Sequence, residues 1–166
     1  MPLTPEEQKK ARRKAMQLLE HMDRTEKGLS DRLRQAGFTW EAAADALEYV
    51  KGYGYVDDLR YARAYLLSRQ QSKSKARLFQ ELHRKGVDQE TICQAWEEAG
   101  QIAETDEREL LRRMIRKKCE PGTELDEKSY RRLWGAMVRQ GFEMGDISAV
   151  LEEMDIFYRP SWRDGD

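Results

Sequence analysis

Cysteine, proline and long apolar runs are what this 166-residue sequence has least of. Its two cysteines, Cys93 and Cys119, cannot build a disulfide framework. Only two histidines, His21 and His83, accompany them, and the spacing matches no zinc site. The four prolines sit mostly near the ends, so the interior is free to be helical. No apolar run approaches the roughly 18 residues of a membrane span, and the polar, acidic start Met1-Pro-Leu-Thr-Pro-Glu-Glu-Gln8 is unlike a secretory signal. A cytoplasmic protein without a membrane partner is expected. Catalytic constellations are missing too. Gly52-Tyr-Gly54 reads as a turn and not as a phosphate cradle, because no strand–helix context surrounds it. Cys93, beside Ile92, reads as a small packing residue. Cys119 reads as a loop thiol whose neighbours Arg116, Lys117 and Lys118 could lower its pKa, yet neither thiol has a companion base. The expectation is a non-enzyme with no catalytic residue, cofactor or metal.

What is abundant is charge, 37% of residues against 39% hydrophobic, a balance that suits small stacked units each burying one thin face. The stretch from Ser74 to Ala99 is the template. Ser74 starts a helix carrying Leu78 and Leu82 on one face, Gly86 stops it, and Asp88 starts a second with Ile92, Ala95, Trp96 and Ala99 at helical spacing. Aligned on the glycine, the pattern occurs three times, at Gly37, Gly86 and Gly141. Thr25, Ser74 and Ser129 lie twelve residues before it, then Leu29, Leu78 and Leu133, then Leu33, Leu82 and Met137. Phe38, Val87 and Phe142 follow directly, then Ala43, Ile92 and Ile147; Ala46, Ala95 and Val150; Leu47, Trp96 and Leu151; Val50, Ala99 and Met154. A period near 50 residues marks a helical array.

Each copy gains a preceding helix. Ala11–Met22 carries Ala15, Leu18, Leu19 and Met22 inward; the helix capped by Asp57-Asp58 carries Leu59, Tyr61, Ala62, Tyr65 and Leu66; and the helix after Thr105-Asp-Glu carries Leu110, Leu111, Met114 and Ile115. The fold class is therefore all-α, three tandem three-helix repeats at 1–53, 54–102 and 103–158, with a tail at 159–166. The third copy's six extra residues fall in the loop Cys119–Asp126, where Pro121-Gly122 stops one helix and Asp126 caps the next. No segment reads as a strand. Trp40, Trp96 and Trp134 read as inter-helix packing, as do Tyr61 and Tyr65, while Trp162 beside Arg159 and Arg163 reads as exposed. Tyr53, Tyr55, Tyr61 and Tyr65 could stack on bases, with packing the preferred reading for Tyr61 and Tyr65.

The net charge of −1 conceals segregation. Arg69, Lys73, Lys75, Arg77, Arg84 and Lys85 face only Glu81 over 69–86; Arg108, Arg112, Arg113, Arg116, Lys117 and Lys118 face only Glu109 over 108–118; Arg131, Arg132 and Arg139 follow. Acids collect in the last helix of each copy, such as Asp45 and Glu48, Glu97 and Glu98, Glu152 and Glu153. Stacked in register, the copies would carry a basic and an acidic flank, suited to a polyelectrolyte partner. The plainer reading is solvated helix faces held by ion pairs.

The run Gly54-Tyr-Val-Asp-Asp-Leu-Arg-Tyr-Ala62, continuing through Ser68-Arg69, Ala76-Arg77-Leu78, Gln80-Glu81-Leu82 and Lys85-Gly86-Val87, resembles the RecX family of bacterial recombination regulators. The chain departs from that family at Ser72-Lys-Ser74, where glycines are usual. The resemblance implies an elongated, curved helical array that lies in the groove of the RecA–single-stranded DNA filament; a monomer is expected. There it would modulate, in the inhibitory direction, ATPase, strand exchange and co-protease activity. Arg69, Lys73, Lys75, Arg77, Arg84 and Lys85, extended by Arg112, Arg116, Lys117, Arg131 and Arg132, are the expected partner contacts. A stand-alone nucleic-acid-binding helical module, touching DNA directly, is the alternative, and a protein scaffold without a DNA link is a third reading.

Overall fold

The computed structural model describes residues 2–159, which form nine α-helices. These are α1 Pro5–His21, α2 Glu26–Gln35, α3 Trp40–Gly52, α4 Asp58–Arg69, α5 Lys75–Arg84, α6 Gln89–Ile102, α7 Glu107–Arg116, α8 Glu127–Arg139 and α9 Met144–Glu153. Short polar residues start them. Thr25 accepts from the Gly28 N–H at 3.0 Å, Thr39 from Ala42 at 3.2 Å and Asp88 from Thr91 at 2.8 Å, each satisfying an amide the helix leaves open. Gly37, Gly86 and Gly141 end α2, α5 and α8 with φ of 99, 92 and 94°. The next amide then reaches back five residues, Phe38 to Leu33, Val87 to Leu82 and Phe142 to Met137, in the same left-handed stop each time. The aligned apolar columns are the core: Leu29, Leu78 and Leu133, then Leu33, Leu82 and Met137, then Ala43, Ile92 and Ile147, are all buried.

The chain divides into two compact units, residues up to 67 with 80–103, and residues 68–79 with 104 onward. In the first, Ala11 and Ala15 of α1 and Ala42, Ala43 and Ala46 of α3 let the helices approach closely, with Leu29 and Leu33 of α2 filling the core. In the second, Leu111 and Ile115 of α7 meet Leu133 and Met137 of α8 and Ile147 and Leu151 of α9.

One polar contact recurs in both units. In the first, the Thr25 hydroxyl donates to the Lys85 carbonyl at 2.6 Å, and the Glu26 N–H donates to Asp58 Oδ1 at 2.9 Å. In the second, the Ser74 hydroxyl donates to the Gln140 carbonyl, and the Lys75 N–H donates to Glu107 Oε1 at 2.6 Å. The positions are repeat-equivalent: a helix-starting hydroxyl meets the carbonyl just before the next copy's glycine. Asp58 and Glu107 are the first residues of α4 and α7. Burial pushes both carboxyls above the ordinary range, against the pull of the amide each accepts from.

Several expectations are corrected. Three-residue strands β1 Glu124–Asp126 and β2 Phe157–Arg159 pair in parallel, with Leu125 opposite Tyr158; three residues are too short to show alternation in sequence. The cap expected at Asp126 is present, its carboxylate accepting the Ser129 N–H at 2.7 Å, so α8 begins at Glu127, ahead of Ser129. Met22 lies at the C-terminal end of α1 and is exposed, and Cys93 is exposed on α6. Trp40 opens α3 with 66% of its surface exposed and the Arg34 guanidinium 4.4 Å over its ring. Cys119 instead packs against the core of the second unit. Trp162, and the tail from residue 160, lie outside the described residues.

Two outcomes test this architecture. A Cβ at Gly86 would stand 2.4 Å from Lys27 Cβ and one at Gly141 2.7 Å from Ser74 Oγ, whereas at Gly37 it meets nothing within 4 Å. Gly37→Ala should cost about 1–2 kcal/mol for the left-handed backbone alone, and Gly86→Ala or Gly141→Ala about 2–4 kcal/mol, in urea denaturation. The raised carboxyls make the second. Their contribution to stability is full when protonated and is lost as pH rises through their elevated values. Asp58→Asn and Glu107→Gln keep an acceptor for the amide without the buried charge. Each should raise the denaturation midpoint at pH 7, and the gain should vanish near pH 4; a loss at pH 7 would contradict it.

Candidate protein and nucleic-acid interface

The expected contact residues divide between the two units. Arg84 and Lys85 belong to the first, at the C-terminal end of α5; the other nine belong to the second. Arg84 has no hydrogen-bond or ion-pair partner among the described residues, since Glu81 on its own helix accepts from the Tyr65 hydroxyl at 2.7 Å. The Lys85 ammonium lies 5.7 Å over the Tyr65 ring. Tyr65 and Tyr61 are half-buried and stacked, 6.2 Å between centroids.

In the second unit, Arg69 and Lys73 flank the turn before α5, both half-buried, and Arg69 reaches Ser68 Oγ at 2.8 Å. Lys75 is exposed, its ammonium 5.4 Å over Phe79, and Arg77 bonds the Gln140 side-chain amide. Arg116 and Lys117 end α7 exposed and without a partner among the described residues. Arg131 pairs with Glu127 at 2.7 Å along α8. Arg132 and Lys118 line a cavity of about 330 Å³ with Cys119 and Leu133.

Arg112 has a different occupation. Its guanidinium holds Glu153 at 2.7 Å and Glu109 at 2.8 Å. The repeat-equivalent pair in the first unit is Arg63 with Glu98, at 2.8 Å. In the first repeat Tyr49 takes the place of the acid, with Arg12 4.4 Å over its ring and bridged to Asp45 at 2.8 Å. Arg108 adds a pair to Asp146 at 3.0 Å. Third-helix carboxylates thus neutralise first-helix arginines, so part of the segregated charge is an internal tie between helices. The Arg12 bond holds the Asp45 carboxyl below the usual range.

Sequence reading missed Arg24 and Lys27, and preferred packing for Tyr61. They line one cavity of about 160 Å³ in the first unit together with Arg84 and Lys85. No run of like charge marks them, because the Thr25–Lys85 contact, 60 residues apart, is what brings them to that pair. Among the described residues no group of His, Cys, Asp and Glu could hold a metal, and no helix is long and apolar enough to cross a membrane. His83 is held at Gln89 by a 2.5 Å contact.

Because the Arg112 pairs are exposed, Arg112→Gln should lower the denaturation midpoint slightly at low ionic strength. In about 1 M salt, where charges are screened beyond about 3 Å, the difference should disappear; an undiminished loss would mean packing, not charge.

Comparison with known proteins places this geometry. Residues 11–49 match the first three-helix domain of RecX and residues 57–95 match its second. A protein of Amycolatopsis mediterranei named regulatory protein RecX is 35% identical over 155 residues, covering 91% of this chain and 87% of its own. One of Bacillus licheniformis with the same name is 31% identical, covering 89% of this chain and 56% of its own. The crystal structure of RecX from Lactobacillus salivarius superposes with a TM-score of 0.69 at 16% identity, over 92% of this chain and 99% of that one. A second RecX crystal structure gives 0.62 at 21%, over 89% and 71%. At these identities the structures establish a shared helical-repeat fold. With that fold, the two matched domains and relatives at 31–35% identity over most of its length, the chain belongs to the RecX family of regulatory proteins.

Proposed function

We propose that this protein binds the RecA filament on single-stranded DNA, in the filament groove, and lowers its ATPase, strand-exchange and co-protease activities. It would act as a monomer in the cytoplasm, within DNA recombination, repair and the SOS response, without catalysis of its own. Family membership supports the reading. The observation that carries it is that expected contacts stay exposed at the surface without an ion pair among the described residues, among them Arg84 and Lys85 in one unit and Arg116 and Lys117 in the other. Such charges meet acidic protein surface or DNA phosphate and speed association with either. Repeats at 1–53, 54–102 and 103–158 would each contribute to the contact. Arg112 is assigned a smaller share than Arg116, because Glu153 and Glu109 already hold it.

The test is RecA ATPase on a preformed filament. Wild type should inhibit, and the reversal Arg84→Glu/Lys85→Glu/Arg116→Glu/Lys117→Glu should raise the half-inhibitory concentration at least about tenfold, about 1.4 kcal/mol. Unchanged inhibition by the reversal would remove these residues. No inhibition by wild type would remove the partner, and RecA-free DNA binding that falls steeply with salt would favour the stand-alone nucleic-acid module.

A further inference from the structure

We infer that the cavity between the loop before α2, α2 itself and the end of α5 is a binding site for a phosphoryl group, with Tyr61 offering a stacking face beside it. Four cations, Arg24, Lys27, Arg84 and Lys85, line a space of about 160 Å³ opposite two carboxylates, Asp23 and Asp31. Asp31 meets Lys27 only at 3.7 Å, between exposed side chains. The nearby acids Glu81 and Asp58 are engaged elsewhere, by the Tyr65 hydroxyl and the Glu26 amide. Backbone geometry places Lys27 in this lining, since the absent side chain of Gly86 leaves room for its stem, which would lie 2.4 Å from a Cβ there.

The fold does not demand this lining, and the molecule contains its own control. The second unit builds the same hydroxyl-to-carbonyl contact at Ser74 and Gln140. There the positions equivalent to Lys27, Lys85 and Tyr61 are Ala76, Gln140 and Leu110, while those equivalent to Arg24 and Arg84 remain basic, as Lys73 and Arg139. A repeat contact made with an alanine, a glutamine and a leucine needs neither the two lysines nor a tyrosine. Concentrating positive charge where neutral residues serve costs self-repulsion, which an anion relieves. Paired cations with an aromatic wall match a phosphate carrying a base or sugar.

The inference rests on the proposed reading only for where the phosphoryl group comes from: a single-stranded DNA backbone or a free nucleotide. The experiment uses the full chain without RecA. Binding of a labelled oligothymidylate is followed by anisotropy across a salt series, and pyrophosphate and ATP are followed by thermal shift. The variant Lys27→Ala/Lys85→Gln installs the second unit's residues, so folding should persist; Lys9→Ala/Lys10→Gln on α1 removes equal charge elsewhere. The first variant should weaken oligonucleotide binding at least about tenfold and flatten the salt slope by between about 0.7 and 1.4, while the second changes affinity less than about twofold. Stabilisation by pyrophosphate or ATP, lost in the first variant while oligonucleotide binding is absent throughout, would identify a free nucleotide. Equal loss in both variants, or no binding of any of the three probes by wild type, would overturn the site. A site that fails here while wild type still inhibits RecA leaves the filament reading standing.

Discussion

A single hydroxyl at a helix start does two jobs on which much of this protein depends. The Thr25 oxygen accepts the Gly28 amide, closing the first turn of α2, and its proton goes to the carbonyl of Lys85. Ser74 repeats this with Arg77 and Gln140. Each hydroxyl is almost wholly buried, so a lost partner would leave a polar atom stranded without water. The left-handed glycine beside the receiving carbonyl lets the two chains come this close. Helix capping, repeat contact and glycine geometry therefore constrain one another. A change in any of the three is felt by the other two.

Charge works at two scales around that contact. Arginines at matching places in α4 and α7 tie to glutamates at matching places in α6 and α9, which fastens the first helix of a repeat to its third. Such exposed pairs stabilise little individually, yet they decide which cations stay open to a partner. The open ones sit chiefly at helix ends, where α5 and α7 finish. A cation at a helix C-terminus is also favoured by the backbone dipole, so the same residues serve the helix and its surroundings.

Much of the fold is legible in the sequence because its determinants are local. The glycine stops, the caps at Thr25, Thr39 and Asp88, and the columns through Leu29, Leu78 and Leu133 all follow from spacings within a helix or two. The errors have equally physical sources. Size assigns Trp40 to packing, but a residue opening a helix faces outward unless another element covers it. Cys93 and Cys119 reverse what their neighbours suggest: adjacency to a core residue such as Ile92 says nothing of the next position on a helix, about 100° away. The candidate site is legible only as basic runs. Arg24 and Lys27 join Arg84 through a contact spanning 60 residues, and no periodicity encodes that.

The early start of α8 has its own consequence. Asp126 accepts the Ser129 N–H at 2.7 Å, and that bond chiefly holds its carboxyl below the usual range. At the column where Thr25 and Ser74 open their helices, Ser129 therefore stands inside a turn already closed, and the amide that follows it is already inside the helix. The third copy thus hands the capping task to a carboxylate three residues earlier, and its hydroxyl has no helix start to serve.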